Sequence, residues 1–420
     1  MDRIFVRFKS AAQKIDALQR VTLPKEHGRP ARFLFTQPDV LHTAATDEVR
    51  ATLQDSGADI FEDVQFKVCP GESEGNEYDG EDEENDIDRW AREPQPDLAD
   101  GYSMQDVLGQ IRAGRAWKRT RGEGVTIVVI DTGVAATLKE IAAARRSPVD
   151  IDSTYQGQHW FDHMGHGSMC AAIAAGSRVD GGRYDGVAPG ATVLAARSTL
   201  KSTDLVDIYD TLVREHAEGG LKGPLVVSNS YALYVCQAPK ILPVDHPYMT
   251  SILAAIENGI FVCFAAGNNH CDVCKHDPYA CGPNSIWGPN SHDEVISVGT
   301  VNRDLTNCDP TTPHVDSSRG PGEWASKCEK PDCVAPTYGE VVWGASYRRM
   351  RWWGTSGACP QVAGAAAMML SVAPGMRPAR VGQVIRDTCS SLPQGRTCVG
   401  HGLLDCEAAV EAAASEAASS

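Results

Sequence analysis

Three polar side chains stand far apart in this chain, each in a glycine-containing context: Asp131, His166 and Ser356. Asp131 follows the apolar run Val125–Ile130 and precedes Thr132-Gly133. That puts it just past a buried strand, at the sheet edge where α/β proteins build sites. His166 lies between Gly165 and Gly167 and leads into Ala171–Gly176, small residues that let a helix pack closely. Ser356 belongs to Gly354-Thr355-Ser356-Gly357-Ala358-Cys359-Pro360, ahead of a small-residue stretch ending at Leu370. Pro360 is expected in the first helical turn, where its missing N–H is not needed. Ser356 then sits at a helix N-terminus, where free N–H groups and the dipole favour negative charge. Singly, each residue has a plainer reading: a turn, a structural histidine, an N-cap. Together they are what nucleophilic acyl transfer needs, a hydroxyl, its base and the group that orients the base.

A second cluster lies at His270-Cys271-Asp272-Val273-Cys274-Lys275-His276, followed by Cys281. Its ligand types suit zinc, with His270, Cys271, Cys274 and Cys281 as the candidate ligands. Disulfides among Cys271, Cys274, Cys281 and Cys308, or free thiols, are the other two readings. Cys359 reads as a small packing residue.

These side chains need a scaffold. From residue 102 to 411, short apolar runs (125–130, 193–196, 225–227, 260–265, 295–298) alternate with helical stretches such as Ile252–Glu257. Runs this apolar suit strands buried on both faces of a parallel sheet. Residues 1–68 read as a small α+β unit, with strands at Ile4–Phe8, Ala31–Phe35 and Ile60–Val68 and helices at Ala11–Leu18 and Asp47–Ser56. Between the two, 69–101 reads as a flexible linker; its stretch 71–100 has thirteen acidic residues against Arg89 and Arg92, a net of -11. Residues 412–420 are expected to be a disordered tail.

The whole chain carries a net charge of -16, and most of it resides in that linker. A mildly acidic globular part argues against nucleic acid as a partner, since phosphate binding needs a basic face. No 18-residue apolar run is present, so no membrane partner is expected. MDRIFVRFKS has no apolar signal-peptide core, which favours the cytoplasm. The fourteen cysteines leave secretion open.

The order Asp, His, Ser in these contexts resembles the D-T-G, H-G-T-H and G-T-S-M-A signatures of the subtilase family of serine proteases. Gly186–Ala191, Ala265-Ala266-Gly267-Asn268-Asn269, Ser297–Thr300, Ser317–Pro321, Lys330–Pro336 and Gly400–Asp405 resemble further family segments. The resemblance implies a three-layer fold with a mostly parallel sheet, preceded by a ferredoxin-like α+β propeptide. It implies a serine endopeptidase made as an autoinhibited zymogen, with polypeptide substrates and its own N-terminal domain as inhibitor. It gives Asp131, His166 and Ser356 as the triad and Asn268 as the oxyanion donor. Ser230, Tyr231, Ala232, Ala265, Ala266 and Gly267 would line the substrate cleft, the last three as an accessible wall. No cofactor is implied for the chemistry; calcium supports many members, but no diagnostic loop is visible. Met169, Gly357, Gln361 and Tyr231 depart from the family pattern, and none removes a triad atom. Two rival readings are a catalytically inactive subtilase-like binding module and a zinc hydrolase using the 270–281 cluster; the second lacks an HExxH helix.

Overall fold

The computed structural model describes residues 2–24, 31–68, 102–149, 151–153, 160–236, 241–301, 311–327 and 329–419. The 69–101 linker and Cys308 lie outside the described residues.

The N-terminal unit runs β1 (Asp2–Arg7), α1 (Ala11–Arg20), β2 (Arg32–Phe33), β3 (Val40–Ala45), α2 (Asp47–Asp55) and β4 (Asp59–Glu62). The strands form an antiparallel sheet in the order β2-β3-β1-β4, the ferredoxin-like arrangement. Ser10 and Thr46 cap the two helices by accepting from Gln13 N and Val49 N. One face of the sheet (Ile4, Val6, Leu41) closes on α1 and α2 in its own small core. The other face (Phe5, Val40, Phe61) packs on the larger domain.

The larger domain continues with α3 (Met104–Gln110), α4 (Ala113–Ala116), β5 (Thr126–Asp131), β6 (Ile151–Asp152), α5 (His166–Ala175) and β7 (Thr192–Arg197). There follow α6 (Ser202–Ala217), β8 (Leu225–Asn229), α7 (Pro247–Glu257), β9 (Phe261–Ala265), β10 (Ile296–Val301) and β11 (Cys333–Pro336). A hairpin, β12 (Gly339–Trp343) and β13 (Ser346–Met350), precedes α8 (Gly354–Val372), α9 (Pro378–Thr388), α10 (Arg396–Val399) and α11 (Cys406–Ser419).

The large sheet has the order β11-β10-β9-β8-β5-β7-β6, and every pairing is parallel. Alternation along β5 explains the continuous apolar run. Ile127 and Val129 face the core shared with α5, α8 and α11, whereas Val128 and Ile130 face α6 and α7. After β5 the chain builds one side of the sheet through β6 and β7, then crosses to β8 on the other. This strand-order reversal opens a crevice at the carboxyl ends of β5 and β8. Asp131 ends β5, and Ser230 immediately follows β8.

Two expectations are corrected here. Residues 412–419, read as disordered, continue α11, because the alanine-rich sequence favours helix and Ala413 is buried in the core. The expected single strand over Ile60–Val68 is two pieces, β4 and an extended segment at 64–68, separated where Asp63 turns onto α6. Asp63 accepts from Ser202 Oγ (2.9 Å), Thr203 N (3.0 Å) and Thr203 Oγ1 (3.1 Å), capping that 16-residue helix.

Candidate active site

The carboxyl end of β5 and the amino end of α5 meet through a hydrogen bond of 2.7 Å between Asp131 Oδ1 and His166 Nδ1. Both side chains are buried, and a carboxylate only accepts, so the Nδ1 proton belongs to the imidazole. Thr132 N also donates to Asp131 Oδ1, at 2.7 Å. Asp162, which the sequence reading missed, holds this corner together. Its Oδ1 accepts from Thr132 Oγ1 (2.9 Å) and Gly165 N (2.8 Å), and its Oδ2 from Ser168 N (2.8 Å) and Ser168 Oγ (2.7 Å). One carboxylate thus ties the end of β5 to the first turn of α5. Gly167 is required by space: a Cβ there would lie 2.0 Å from the Gly133 carbonyl oxygen.

Ser356 lies in the first turn of α8, as expected, but Pro360 does not. The helix starts at Gly354, so Pro360 is inside it. Lacking an N–H, it leaves the carbonyl four residues back, that of Ser356, without an intrahelical donor. Ser230 Oγ (3.0 Å) and Cys170 Sγ (3.6 Å) approach that oxygen instead. Cys170 lies one turn beyond His166, with Sγ 3.9 Å from Nδ1, and joins the two elements; burial foremost, then the charge of Asp131, pushes its thiol pKa up. The Ser356 hydroxyl donates to the Ser230 carbonyl at 3.1 Å.

Asn268 follows β9 in the loop facing α8. Its Oδ1 accepts from Thr355 N (3.0 Å) and Thr355 Oγ1 (2.8 Å), so its Nδ2 points the other way, toward Tyr234 Oη at 3.2 Å. Cys359 is a buried packing residue, with Sγ 3.7 Å from Cys263 Sγ. The departures from the family pattern have local causes. A Cβ at Gly357 would lie 2.7 Å from Trp353 Cβ, and Gln361 Nε2 donates to the Pro336 and Gly357 carbonyls at 2.7 and 3.0 Å. Tyr231 turns its hydroxyl inward to Asn229 Oδ1 and Tyr248 Oη, both at 2.7 Å.

Of the expected cleft residues, Ala232 meets the N-terminal domain directly. Lys67 and Ala232 form a two-residue antiparallel bridge, and Phe66 N donates to Leu200 O at 2.9 Å. Tyr234 Oη donates to Val68 O at 3.1 Å, and the Phe66 ring packs edge-on against Tyr231 and Tyr248. With the N-terminal unit docked, Ala265 and Ala266 are buried; the Ala265 carbonyl accepts from Asn290 Nδ2 (2.8 Å) and Ala266 N donates to Val298 O (2.9 Å). Docking is completed by ion pairs of Arg32 with Asp207 (2.6 Å) and Asp210 (3.1 Å).

The four-ligand zinc set is not assembled. Cys274 is bonded to Cys236 and Cys281 to Cys398, while His270 Nε2 donates to the Asp277 carbonyl at 2.9 Å. The disulfide partners are therefore distant cysteines rather than members of the loop, and Cys271 is a free thiol.

Residues 122–403 match the Subtilase family. The chain is 28% identical over 294 residues to serine protease AprX of Bacillus subtilis, covering 63% of this chain and 61% of the relative. It is 26% identical over 337 residues to the calcium-dependent protease of Nostoc sp., covering 71% and 48%. It thus spans about half to three-fifths of the length of these relatives. Among solved structures, fervidolysin from Fervidobacterium pennivorans, described as a keratinolytic enzyme related to subtilisin, superposes with a TM-score of 0.67 at 16% identity. That match covers 98% of this chain and 61% of fervidolysin. With two thirds of its length matched, including Asp131, His166 and Ser356, the chain belongs to the subtilase family.

Proposed function

We propose that the protein is a serine endopeptidase that cleaves polypeptides through an acyl-enzyme and is made as a zymogen held by its own N-terminal domain. The observation that carries the reading is the Asp131–His166 bond of 2.7 Å, linked through Cys170 Sγ (3.9 Å from His166 Nδ1, 3.6 Å from the Ser356 carbonyl) to a buried serine at a helix start. Asp131 fixes the Nδ1–H tautomer, which directs the Nε2 lone pair away from the carboxylate to serve as base. Ser356 attacks the scissile carbonyl as its proton passes to His166, and the imidazolium returns that proton to the leaving amine. Asn268 Nδ2 and the Ser356 N–H stabilise the oxyanion.

The Ser356 hydroxyl must first leave the Ser230 carbonyl. A substrate N–H bonded to that carbonyl competes for the same acceptor and favours the turn toward His166. No cofactor takes part in these steps. Calcium is carried from the name of the Nostoc relative only as a dependence to titrate in the same assay.

In the zymogen reading, Gln65–Val68 occupies the strand position that an extended substrate would add to the cleft. Labelling with a fluorophosphonate tests both halves: the full chain is probed before and after an added protease cuts within 69–101. A mass gain mapped to Ser356, slow before the cut and fast after it, is expected. No gain in either form favours the inactive binding module.

A further inference from the structure

The loop after Asn268 carries a cluster that the proposed peptidase chemistry does not use. Cys236, just past Tyr234-Val235, is disulfide-bonded to Cys274 across 38 residues. His276 Nε2 lies 3.9 Å from Cys236 Sγ, and one ligand atom from each of Cys236, Cys274 and His276 lies within 4.8 Å of the others. His276 Nδ1 is buried with no hydrogen-bond partner among the described residues. Beside it, at 5.2 Å between ring centres, His270 is fully buried. Its Nε2–H is committed to the Asp277 carbonyl, leaving a buried, unpartnered lone pair on Nδ1.

We infer that Cys236, Cys274 and His276 form a zinc site that opens when the Cys236–Cys274 disulfide is reduced, so that metal and disulfide are alternative staples across the same two segments. Two thiolates and one imidazole favour zinc over the harder divalent cations, and three protein ligands leave the fourth tetrahedral position to water. His270 lies outside the three-atom group and acts as the neighbouring wall.

The chemistry balances with a dithiol as reductant. The S–S bond breaks as two electrons and two protons pass from the dithiol, which closes to its own cyclic disulfide. Zinc then binds both sulfurs and the imidazole, and the two thiol protons go to solvent. In the bonded state Cys274 Sγ is 3.7 Å from the Val235 carbonyl. Either staple therefore holds the 234–236 segment, with Tyr234 against Asn268, onto the loop.

The test uses the full-length Ser356→Ala chain, reduced with excess dithiol, freed of reductant without air and titrated with Co²⁺ alone. A thiolate-to-cobalt charge-transfer band with tetrahedral visible bands should appear, saturate near one equivalent, and be displaced by Zn²⁺. The same chain with its disulfides intact should give no such bands. His276→Gln should weaken cobalt binding roughly tenfold or more, whereas Cys271→Ser should leave it unchanged. The inference is overturned by a reduced chain without tetrahedral bands, by bands indifferent to His276→Gln, or by bands that vanish in Cys271→Ser. The last outcome would place the metal at the neighbouring Cys271, Asp272 and Asp316 group instead.

Discussion

Lys67 and Ala232 exchange both of their backbone hydrogen bonds, at 3.0 Å in each direction. With Phe66 N on the Leu200 carbonyl, the 64–68 segment lies between 199–201 and 230–234 as a middle strand. Backbone pairing of this kind is indifferent to sequence, so the side chains between the bonds set how tightly the segment is held.

Phe66 is the anchor. It is fully buried, with ring centres 5.7 Å from Tyr231 and 5.4 Å from Tyr248. Removing a buried phenylalanine ring costs about 3–5 kcal/mol. Phe66→Ala should therefore raise the fluorophosphonate labelling rate of the uncut chain about 100-fold or more, up to the rate of the cut form. An unchanged rate would show that the segment does not guard Ser356.

The register makes a claim about self-cleavage. In an antiparallel pairing, the residue two places beyond the partner of Ala232 faces Ser230, whose carbonyl now accepts the Ser356 hydroxyl. Counted from Lys67 that position is Cys69, outside the described residues, and the next bond is Cys69–Pro70. Its nitrogen is a proline imide with a locked ring. Wild-type chain should yield no fragment starting at Pro70, whereas Pro70→Ala should yield one starting at residue 70. Intact-mass analysis of incubated samples distinguishes the two; a Pro70→Ala chain that yields no fragment starting at residue 70 would refute the register, and a wild-type fragment starting at Pro70 would refute the proline block.

Acid should loosen the docking of the N-terminal unit through His246. Its Nδ1 accepts from Tyr248 N (3.1 Å) and its Nε2 donates to the Glu62 carbonyl (3.1 Å), so the docked ring is neutral. The Phe5 and Phe61 rings close over it, Arg7 and Asp245 are the nearby charges, and burial pushes its pKa down to about 4. Undocking re-exposes the ring to its ordinary value near 6.5. The released state then binds more protons, so docking is strongest above about pH 6.5, weakens as pH falls, and levels off below about 4. Between pH 7.5 and 5 the loss is about 2 kcal/mol, or roughly 30-fold. It is read as the labelling rate of the uncut chain divided by that of the cut chain at the same pH. His246→Asn keeps a capping side chain and should flatten that ratio; a slope that persists would assign the effect elsewhere.

Much of the fold was legible because strand burial and glycine spacing are local. The run before Asp131 and the glycines around His166 and Ser356 mark sheet edge and helix starts without knowledge of the rest. What could not be read depends on contacts distant in sequence. β3 (Val40–Ala45) does not read as a strand because His42 and Thr43 interrupt its apolar character; burial of His42 is supported by Asp207, on α6, which accepts from its Nδ1 at 2.8 Å, and by Arg3 Nε, which donates to its Nε2 at 2.8 Å. Asp162 carries no motif, yet it links β5 to α5. The partners of Cys274 and Cys281, at 236 and 398, follow from spatial proximity that spacing does not encode. The departure at Gly357 depends on packing across α8, where a Cβ would lie 3.3 Å from Thr337 Cγ2 as well as 2.7 Å from Trp353 Cβ.

Asn268 should matter through both ends of its amide. Asn268→Ala removes the Nδ2 donor and should lower kcat of the cut enzyme about 100–1000-fold. It also removes the Oδ1 acceptor that takes Thr355 N and Oγ1, one residue before Ser356. Asn268→Asp keeps that acceptor while losing the donor. A drop in kcat as large as that of the alanine variant is expected, with KM for a peptide substrate little changed. A kcat near wild type in the aspartate variant would remove Asn268 from the oxyanion role.

Pro360 separates the stability of α8 from its activity. Proline inside a helix typically costs about 3 kcal/mol, and here it lies four residues beyond Ser356. Pro360→Ala supplies an N–H that can take the Ser356 carbonyl back into the helix ladder. That carbonyl now accepts Ser230 Oγ at 3.0 Å, and the Ser230 carbonyl in turn accepts Ser356 Oγ at 3.1 Å. Drawing the Ser356 carbonyl into α8 pulls against this reciprocal pair and rotates the nucleophile relative to His166. The expected result is a higher melting temperature with kcat down at least tenfold, because a displacement of about 1 Å at reacting atoms costs about 100-fold. Calorimetry and peptide kinetics on the same preparation read both quantities. A rise in melting temperature with unchanged kcat would show that the Ser230–Ser356 pair does not set the nucleophile's position.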